Sequence, residues 1–280
     1  MGQQRSYATQ AVILKHSDFG EADRILTLFT ARKGKFHAIA KGIRRPVSKK
    51  AGHLELLCHS QLQVAMGRNL DVITQAQSIE TFPHLRHTAE IWHQTCAFYL
   101  AELVDRFIEA DTPHPDTFQL LLTTLRALDS DARHAHRQRL QSTEQQDSTT
   151  PSSPYPHYGR TQLLLRSFEI NLLTQVGYEP GFRSCVHCDA ELQPVENGFT
   201  PTLGGVLCPN CSHLWGRPLS VNALKVLRIL QRTAWEQIPH FRLDASLLAE
   251  VEAVMHGLLR FHLERDPRSW SFLEMLSTRQ

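Results

Sequence analysis

Four cysteines carry the spacing of a metal site. Cys185-x2-Cys188 and Cys208-x2-Cys211 are separated by nineteen residues. A CxxC turn lets two thiolates converge on one ion, and two such turns complete the tetrahedron of soft ligands that zinc takes in structural sites. Four thiolates close the coordination shell and leave no position for an activated water. The expected cofactor is therefore one structural Zn2+ per chain, with no role in catalysis. His187 and His213 flank the ligands as spare donors that the four thiolates make unnecessary. A site that has lost its metal and a redox CxxC are the competing readings; two CxxC pairs at this spacing disfavour the second. Cys58 and Cys96 stand alone and read as buried small apolar side chains.

The second concentration of chemistry is charge. KFHAIAKGIRRPVSKKAG, residues 35–52, holds Lys35, Lys41, Arg44, Arg45, Lys49 and Lys50 and no acid, and Arg32 and Lys33 precede it. A solvated charge run is the ordinary account of such a segment. The distribution of charge weighs against that account. The whole chain carries a net charge of only +2, yet up to Pro83 twelve Lys and Arg stand against six acids. The asymmetry directs the front section toward an anionic partner.

Other candidate chemistry is weak. Sixteen histidines form no HExxH, and His134 and His136 lack partners and read as surface residues. Glu21 and Asp23 are a possible carboxylate pair, but adjacent Arg24 favours a strand-end salt bridge. No Walker A, GxGxxG or GxSxG occurs. No apolar run approaches the ~20 residues that span a bilayer. The start, MGQQRSYATQAV, has no signal-peptide core, so a cytoplasmic location without membrane contact is expected and a disulfide framework is not. MGQQRS fits the loose myristoylation pattern, a chance match because Tyr7 onward already reads as a strand.

Two kinds of structure must position these groups. From Tyr7 to Phe82, YATQAVILK, DRILTLFT, KFHAIAKG, SQLQVAM and LDVITQAQSIE alternate or are β-branched and are separated by turn residues. ARKG offers Gly34 to a hairpin turn. Alternation puts Phe36, Ala38 and Ala40 on one face of the third strand and Lys35, His37, Ile39 and Lys41 on the other; Leu62, Val64 and Met66 share a face of the fourth. Five short strands in about eighty residues suggest a small barrel such as the OB-fold. After Pro83 the period becomes helical, with Ile91, Thr95, Phe98, Leu103 and Phe107 at helical spacing and Asp116 as a possible cap of TFQLLLTTLRAL. QSTEQQDSTTPSSPYPHYG reads as a flexible insert over about residues 141–158. Helices resume with RTQLLLRSFEINLLTQVG, ended by Gly177, and two more follow the cysteines, the first opened by Ser220. NG at 197–198 and GG at 204–205 mark a hairpin between the two cysteine turns. The chain is expected to be α+β and multidomain: an OB barrel over 1–83, and a helical domain over 84–280 with a zinc ribbon embedded at about 181–218.

These residues resemble the bacterial recombination mediator family RecO. DFGEADRILTLFTARKGKFHAIAKGIRRPVSKKAGHLE is similar to that family's front domain, with its acid-Ala-Asp-Arg-Ile segment, Gly-Lys turn and Ala-Lys-Gly-x-Arg-Arg-x-x-Ser loop in order. VGYEPGFRSCVHCDAE and GFTPTLGGVLCPNC resemble its second half. The resemblance implies an N-terminal OB-fold, a helical C-terminal domain with a zinc ribbon, and a role in DNA repair without catalysis. That role is binding single- and double-stranded DNA, annealing complementary strands and assisting RecA loading. The implied partners are RecR and the acidic C-terminal tail of single-stranded DNA-binding protein, and the implied location is the nucleoid. Family carry-over favours Lys35, Lys41, Arg44 and Arg45 as DNA contacts, with Lys49, Lys50, Arg32 and Lys33 flanking. Aromatic side chains are scarce in the front domain, so phosphate contact is expected to dominate over base stacking. An RNA-binding OB protein with a structural zinc, a zinc hydrolase or nuclease, and a partner-binding scaffold are the rival readings.

Overall fold

The computed structural model describes residues 6–87, 91–144, 158–238 and 243–277. The alternating front section becomes β1 (Ser6–Phe19), β2 (Asp23–Thr30), β3 (Gly34–Ala40), β4 (His59–Ala65) and β5 (Asp71–Glu80). They close into a barrel in the order β1-β2-β3-β5-β4, with β1 also pairing β4 and with β3 and β5 parallel. This five-stranded barrel is the OB-type fold expected from the alternation. Its inward set includes Ile13, Leu26, Leu28, Phe36, Ala38, Leu62, Val64 and Ile73. Each fully buried aliphatic side chain contributes about 1.5–3 kcal/mol, and Leu28→Ala would cost about 2–5 kcal/mol. Met66 does not join Leu62 and Val64: β4 ends at Ala65, and Met66 is exposed in the following turn.

Gly34 opens β3 with φ +67, and a Cβ there would lie 1.9 Å from the Thr112 carbonyl oxygen. That close approach lets the β2–β3 end of the barrel sit against the segment joining two helices, α2 and α3. Three helices follow the barrel: α1 (Pro83–His87), α2 (Ile91–Phe107) and α3 (Pro115–Glu144). The buried face of α2 is Trp92, Cys96, Tyr99, Leu100, Leu103 and Val104, whereas Ile91 and Phe98 are exposed. The large rings lie one position away from the expected stripe and win the buried face. Asp116 sits in the first turn of α3, not ahead of it. The helix runs sixteen residues past Leu128, because DSDARHAHRQRLQSTE holds no Gly or Pro to stop it although its apolar period has faded. Residues 141–144 of the expected insert are therefore helix; 145–157 lie outside the described residues.

The remaining elements are α4 (Tyr158–Gln175), β6 (Asn197–Thr200), β7 (Gly205–Leu207), α5 (Pro209–Trp215), β8 (Arg217–Leu219), α6 (Val221–Arg232), α7 (Ala245–Leu263) and α8 (Arg268–Ser277). Gly177, at φ +89, ends α4, and Tyr178 N–H donates to the Leu173 carbonyl. Ser220 caps α6 by accepting from Ala223 N–H at 3.1 Å. β7, β6 and β8 form a small antiparallel sheet. Asn197 and Gly198 lie inside β6; the hairpin turn is Pro201 to Gly204.

Packing groups the described residues into two units, 6–87 and 91–144 with 271–277, and 158–238 with 243–270. Helices α1–α3 thus fall with the barrel, although the change from alternating to helical pattern lies near residue 83.

Candidate nucleic-acid interface and metal centre

The eight cations singled out in the front section do not form one patch. Arg32, Lys33 and Lys35 stand at the β2–β3 end of the barrel. Lys41, Arg44, Arg45 and Lys49 stand beyond the far end of β3, seven residues and roughly 20 Å away.

The β2–β3 end is internally paired. Lys33 Nζ lies 3.0 Å from Asp71 Oδ2, 3.3 Å from the Tyr7 hydroxyl and 4.3 Å from the Phe36 ring centroid. Tyr7 donates to the same carboxylate at 2.6 Å. Burial would raise the Asp71 carboxyl, but the bonds from Tyr7, Lys33 and the Gly67 N–H outweigh it and hold the group below its usual range. Burial first, then Asp71, push the Tyr7 hydroxyl well above its ordinary value. Lys35 donates to the Asp105 carbonyl and lies 3.3 Å from the Asp105 carboxylate, and its own carbonyl accepts from Asp111 N–H. These two lysines fasten the barrel to α2 and its continuation. Arg32 is exposed in the turn between β2 and β3.

The other end is open. The loop after β3 is rooted at both sides: Gly42 N–H donates to Asp23 Oδ1 at 2.7 Å, Arg44 N–H donates to the Ala22 carbonyl at 2.9 Å, and Ile43 is buried in the barrel core. Lys50 closes the loop by donating to the Ile73 carbonyl at 2.9 Å, and burial lowers its pKa. Arg44 shares Asp18 with Arg24, at 3.4 and 2.9 Å; the bond from Arg24 is the chief reason that the Asp18 carboxyl is held low. Arg24 thus pairs with Asp18, and Asp23 holds the loop; the pair Glu21 and Asp23 forms no catalytic geometry. Lys41, Arg45 and Lys49 are exposed, and among the described residues no acid pairs with them.

Sequence reasoning missed part of this face. Phe19 pairs with Asp23, and Arg24 pairs with Ala40, so Lys41 follows in the same row across the sheet. Beside them the outer face carries Ser17, Ile25, Ile39 and His37, and exposed Lys15 stands opposite Thr27. Lys15 lies outside the acid-free run, and only the alternation of β1 about its bulge between Ile13 and Lys15 would have found it.

In the helical unit the four cysteine sulfurs lie within 4.8 Å of one another, and this is the one such cluster among the described residues. The first turn is built by Asp189 N–H donating to the Cys185 carbonyl at 2.9 Å, with Asp189 at φ +59. In the second turn the N–H groups of Cys211 and Ser212 both donate to the Cys208 carbonyl at 2.9 Å. Cys188 is exposed and the other three are buried. Burial pushes the Cys185 thiol up, but the backbone N–H groups of Cys208, His187 and Cys188 outweigh it and bring it to about 6. Burial and the three neighbouring thiols push Cys211 up to about 12. Cys185 ionises readily, whereas Cys188 and Cys211 are held above the ordinary thiol range, and a dication would draw such thiols into ionising together. The donors, their closeness and the backbone bonds to sulfur fit a metal ion. His187 Nδ1 lies 3.5 Å from Cys211 Sγ, beside the donor set, and His213 is exposed. Cys58 and Cys96 are buried, as expected of small apolar side chains.

The chain thus joins an OB-type barrel with a basic loop at one end to helices that embed a four-cysteine cluster able to hold a metal ion. Two family models match the chain: Recombination protein O N terminal over residues 4–82, and Recombination protein O C terminal over residues 90–140 and 156–271. The chain belongs to the Recombination protein O family. It is 35% identical over 277 residues to "DNA repair protein RecO" of Dehalococcoides mccartyi strain BAV1, covering 99% of this chain and 98% of the relative. The protein of that name from Roseiflexus sp. strain RS-1 is 37% identical over 272 residues, covering 96% and 86%. The family boundary near residue 83 follows the change in sequence pattern, whereas packing places α1–α3 with the barrel. No helix of the described residues is long and apolar enough to cross a membrane.

Proposed function

We propose that this chain is a non-catalytic DNA-repair mediator that binds single- and double-stranded DNA, anneals complementary strands and assists RecA loading in the cytoplasm at the nucleoid. The observation that carries the reading is the end of the barrel where Lys41, Arg45 and Lys49 are exposed, with no acid paired to them among the described residues, on a loop fastened at both roots. A strand would lay its phosphates along these cations, with Arg44, Lys15 and, at the far turn, Arg32 adding to the field. Two polyanions repel each other, and a basic surface that holds both lets their bases meet. Such contacts carry affinity and no sequence information. Lys33, Lys35 and Lys50 support the site by fixing the barrel and the loop root, and do not touch the strand. Partners are RecR and the acidic C-terminal tail of single-stranded DNA-binding protein. A groove of about 590 Å³ in the helical unit, lined by Phe199, Pro201, Pro218 and Phe261, sets Arg217 and Arg260 against one acid, Glu250, and is the candidate seat for that tail.

The ion proposed at Cys185, Cys188, Cys208 and Cys211 is one zinc, which would hold the ribbon together. Wild-type protein purified without chelator should contain one equivalent by elemental analysis, and Cys208→Ser should lose it and lower the melting temperature of the helical unit. Absence of zinc from the wild type would remove this assignment.

Titration of a labelled single strand at several salt concentrations tests the DNA reading. Log affinity should fall with log salt by about 0.7 per phosphate neutralised. An RNA strand of equal length bound tenfold more tightly would turn the assignment to RNA. Salt-independent binding, or none, would end it.

A further inference from the structure

Five aromatic side chains lie between residues 6 and 82, and four are occupied. Phe29, Phe36 and Phe82 are buried, and Tyr7 is held by Asp71 and Lys33. Phe19 is 52% exposed. It is the last residue of β1 and stands opposite Asp23 on the outer face of the sheet. Its neighbour Asp18 is gripped by Arg24 and Arg44, so the strand end that carries the ring is pinned to the loop that carries the free cations. Lys41 follows two strands along the same row, about 10 Å away at ordinary strand spacing. One nucleotide with its flanking phosphates covers that span. The half-buried Ile25 and the buried Ile39 form the next row on the same face; Asp23 is the one acid of β2 and β3, and its carboxylate accepts from the Gly42 N–H.

We propose that Phe19 is a base-stacking platform for a single strand whose phosphates lie on Lys41, Arg45 and Lys49. This rests on the nucleic-acid reading above and adds to it a means of telling a single strand from a duplex. Bases of a single strand can turn their faces onto a ring, whereas those of a duplex are already stacked. Charge alone makes no such distinction. The occupant is a single nucleic-acid strand because the row joins one exposed ring to exposed cations with no paired acid among the described residues, a combination that serves sequence-tolerant binding of bases and phosphates together.

The test compares an ordinary single strand with an abasic strand of equal length and charge, using wild type, Phe19→Ala and Phe19→Trp. Wild type should bind the ordinary strand at least fivefold more tightly than the abasic one. Phe19→Ala should lose that preference and keep the salt slope and the duplex affinity, and Phe19→Trp should restore the preference. Thermal melting of each variant separates stacking from folding, because Phe19→Trp must fold and bind for the rescue to be read. Equal wild-type affinity for the two strands, or a preference that survives Phe19→Ala, would overturn the proposal while a persisting salt slope kept the phosphate reading intact. Loss of salt dependence in the wild type would overturn both.

Discussion

Lys35 and Lys41 stand six residues apart in one stretch of chain, on the same side of its alternation, and they do different work. Lys35 is enclosed by the Asp105 carboxylate and carbonyl, at the end of the barrel that packs on its own helices. Lys41 stands at the end where the chain leaves the barrel and returns, with solvent around it. The same contrast separates Lys33 from Arg45 and Lys50 from Lys49. Density of positive charge along a sequence therefore does not measure density of available charge. A cation that already satisfies a carboxylate has little left to offer a phosphate, because moving it would expose an unpaired partner.

The largest expected effect lies at the open end. Lys41, Arg45 and Lys49 replaced together by Glu should flatten the single-strand salt slope by roughly 2 units at most, with melting temperature nearly unchanged. The loss should be alike across DNA sequences. A triple variant that kept wild-type affinity and slope would mean that the open end is merely solvated.

Next comes the paired end. Lys35→Met should leave Asp105 without its cation and cost about 1–2 kcal/mol, seen in urea unfolding, while the DNA salt slope stays as in wild type. A DNA defect in a fully stable Lys35→Met protein would break the contrast.

The two ends should also answer to different solution variables. Asp71 is held below its unfolded value, so between the two values the unfolded chain binds more protons than the folded one. Its contribution is full above the unfolded pKa of about 3.9 and is lost as pH falls through the lower folded value. The stability difference between wild type and Asp71→Asn should accordingly be present at pH 6–7 and shrink below about pH 4. A difference that stayed constant through the acid limb would show that the carboxylate does not carry the effect. The smallest effect is expected from deleting residues 148–154, which are polar and proline-bearing; stability and DNA affinity should remain within experimental error.

The strands, their alternation and the paired CxxC turns were legible because each is a local pattern. Phe36, Ala38 and Ala40 face the core as their period of two requires, and four sulfurs meet where two short turns bring them. Which lysines are occupied was not legible. Lys33 meets a residue 38 positions on, and Lys35 one 70 positions on, so no window along the chain contains both partners. Helix α2 turned out to bury Trp92 and Tyr99 in place of Ile91 and Phe98, because shape against the neighbouring elements chose between two apolar stripes. The second half of α3 is harder to read for the opposite reason: past Leu128 its buried apolar side chains are only Ala132 and Ala135, too small and too few to mark a helical period. Phe19 lay beyond the expected first strand, YATQAVILK; β1 runs on to it, and its pairing with Asp23 puts it on the outer face beside the loop.

Because β1 pairs with both β2 and β4, and β3 meets β5 at Ala38 and Ile39, the five strands close into a ring in which each has a neighbour on both sides for part of its length. Chains brought close together along a bound strand therefore meet no β-strand that is unpaired along the whole of one side, the template on which a further strand adds most readily. Crowding at a repair site then need not seed aggregation through the domain that is being crowded.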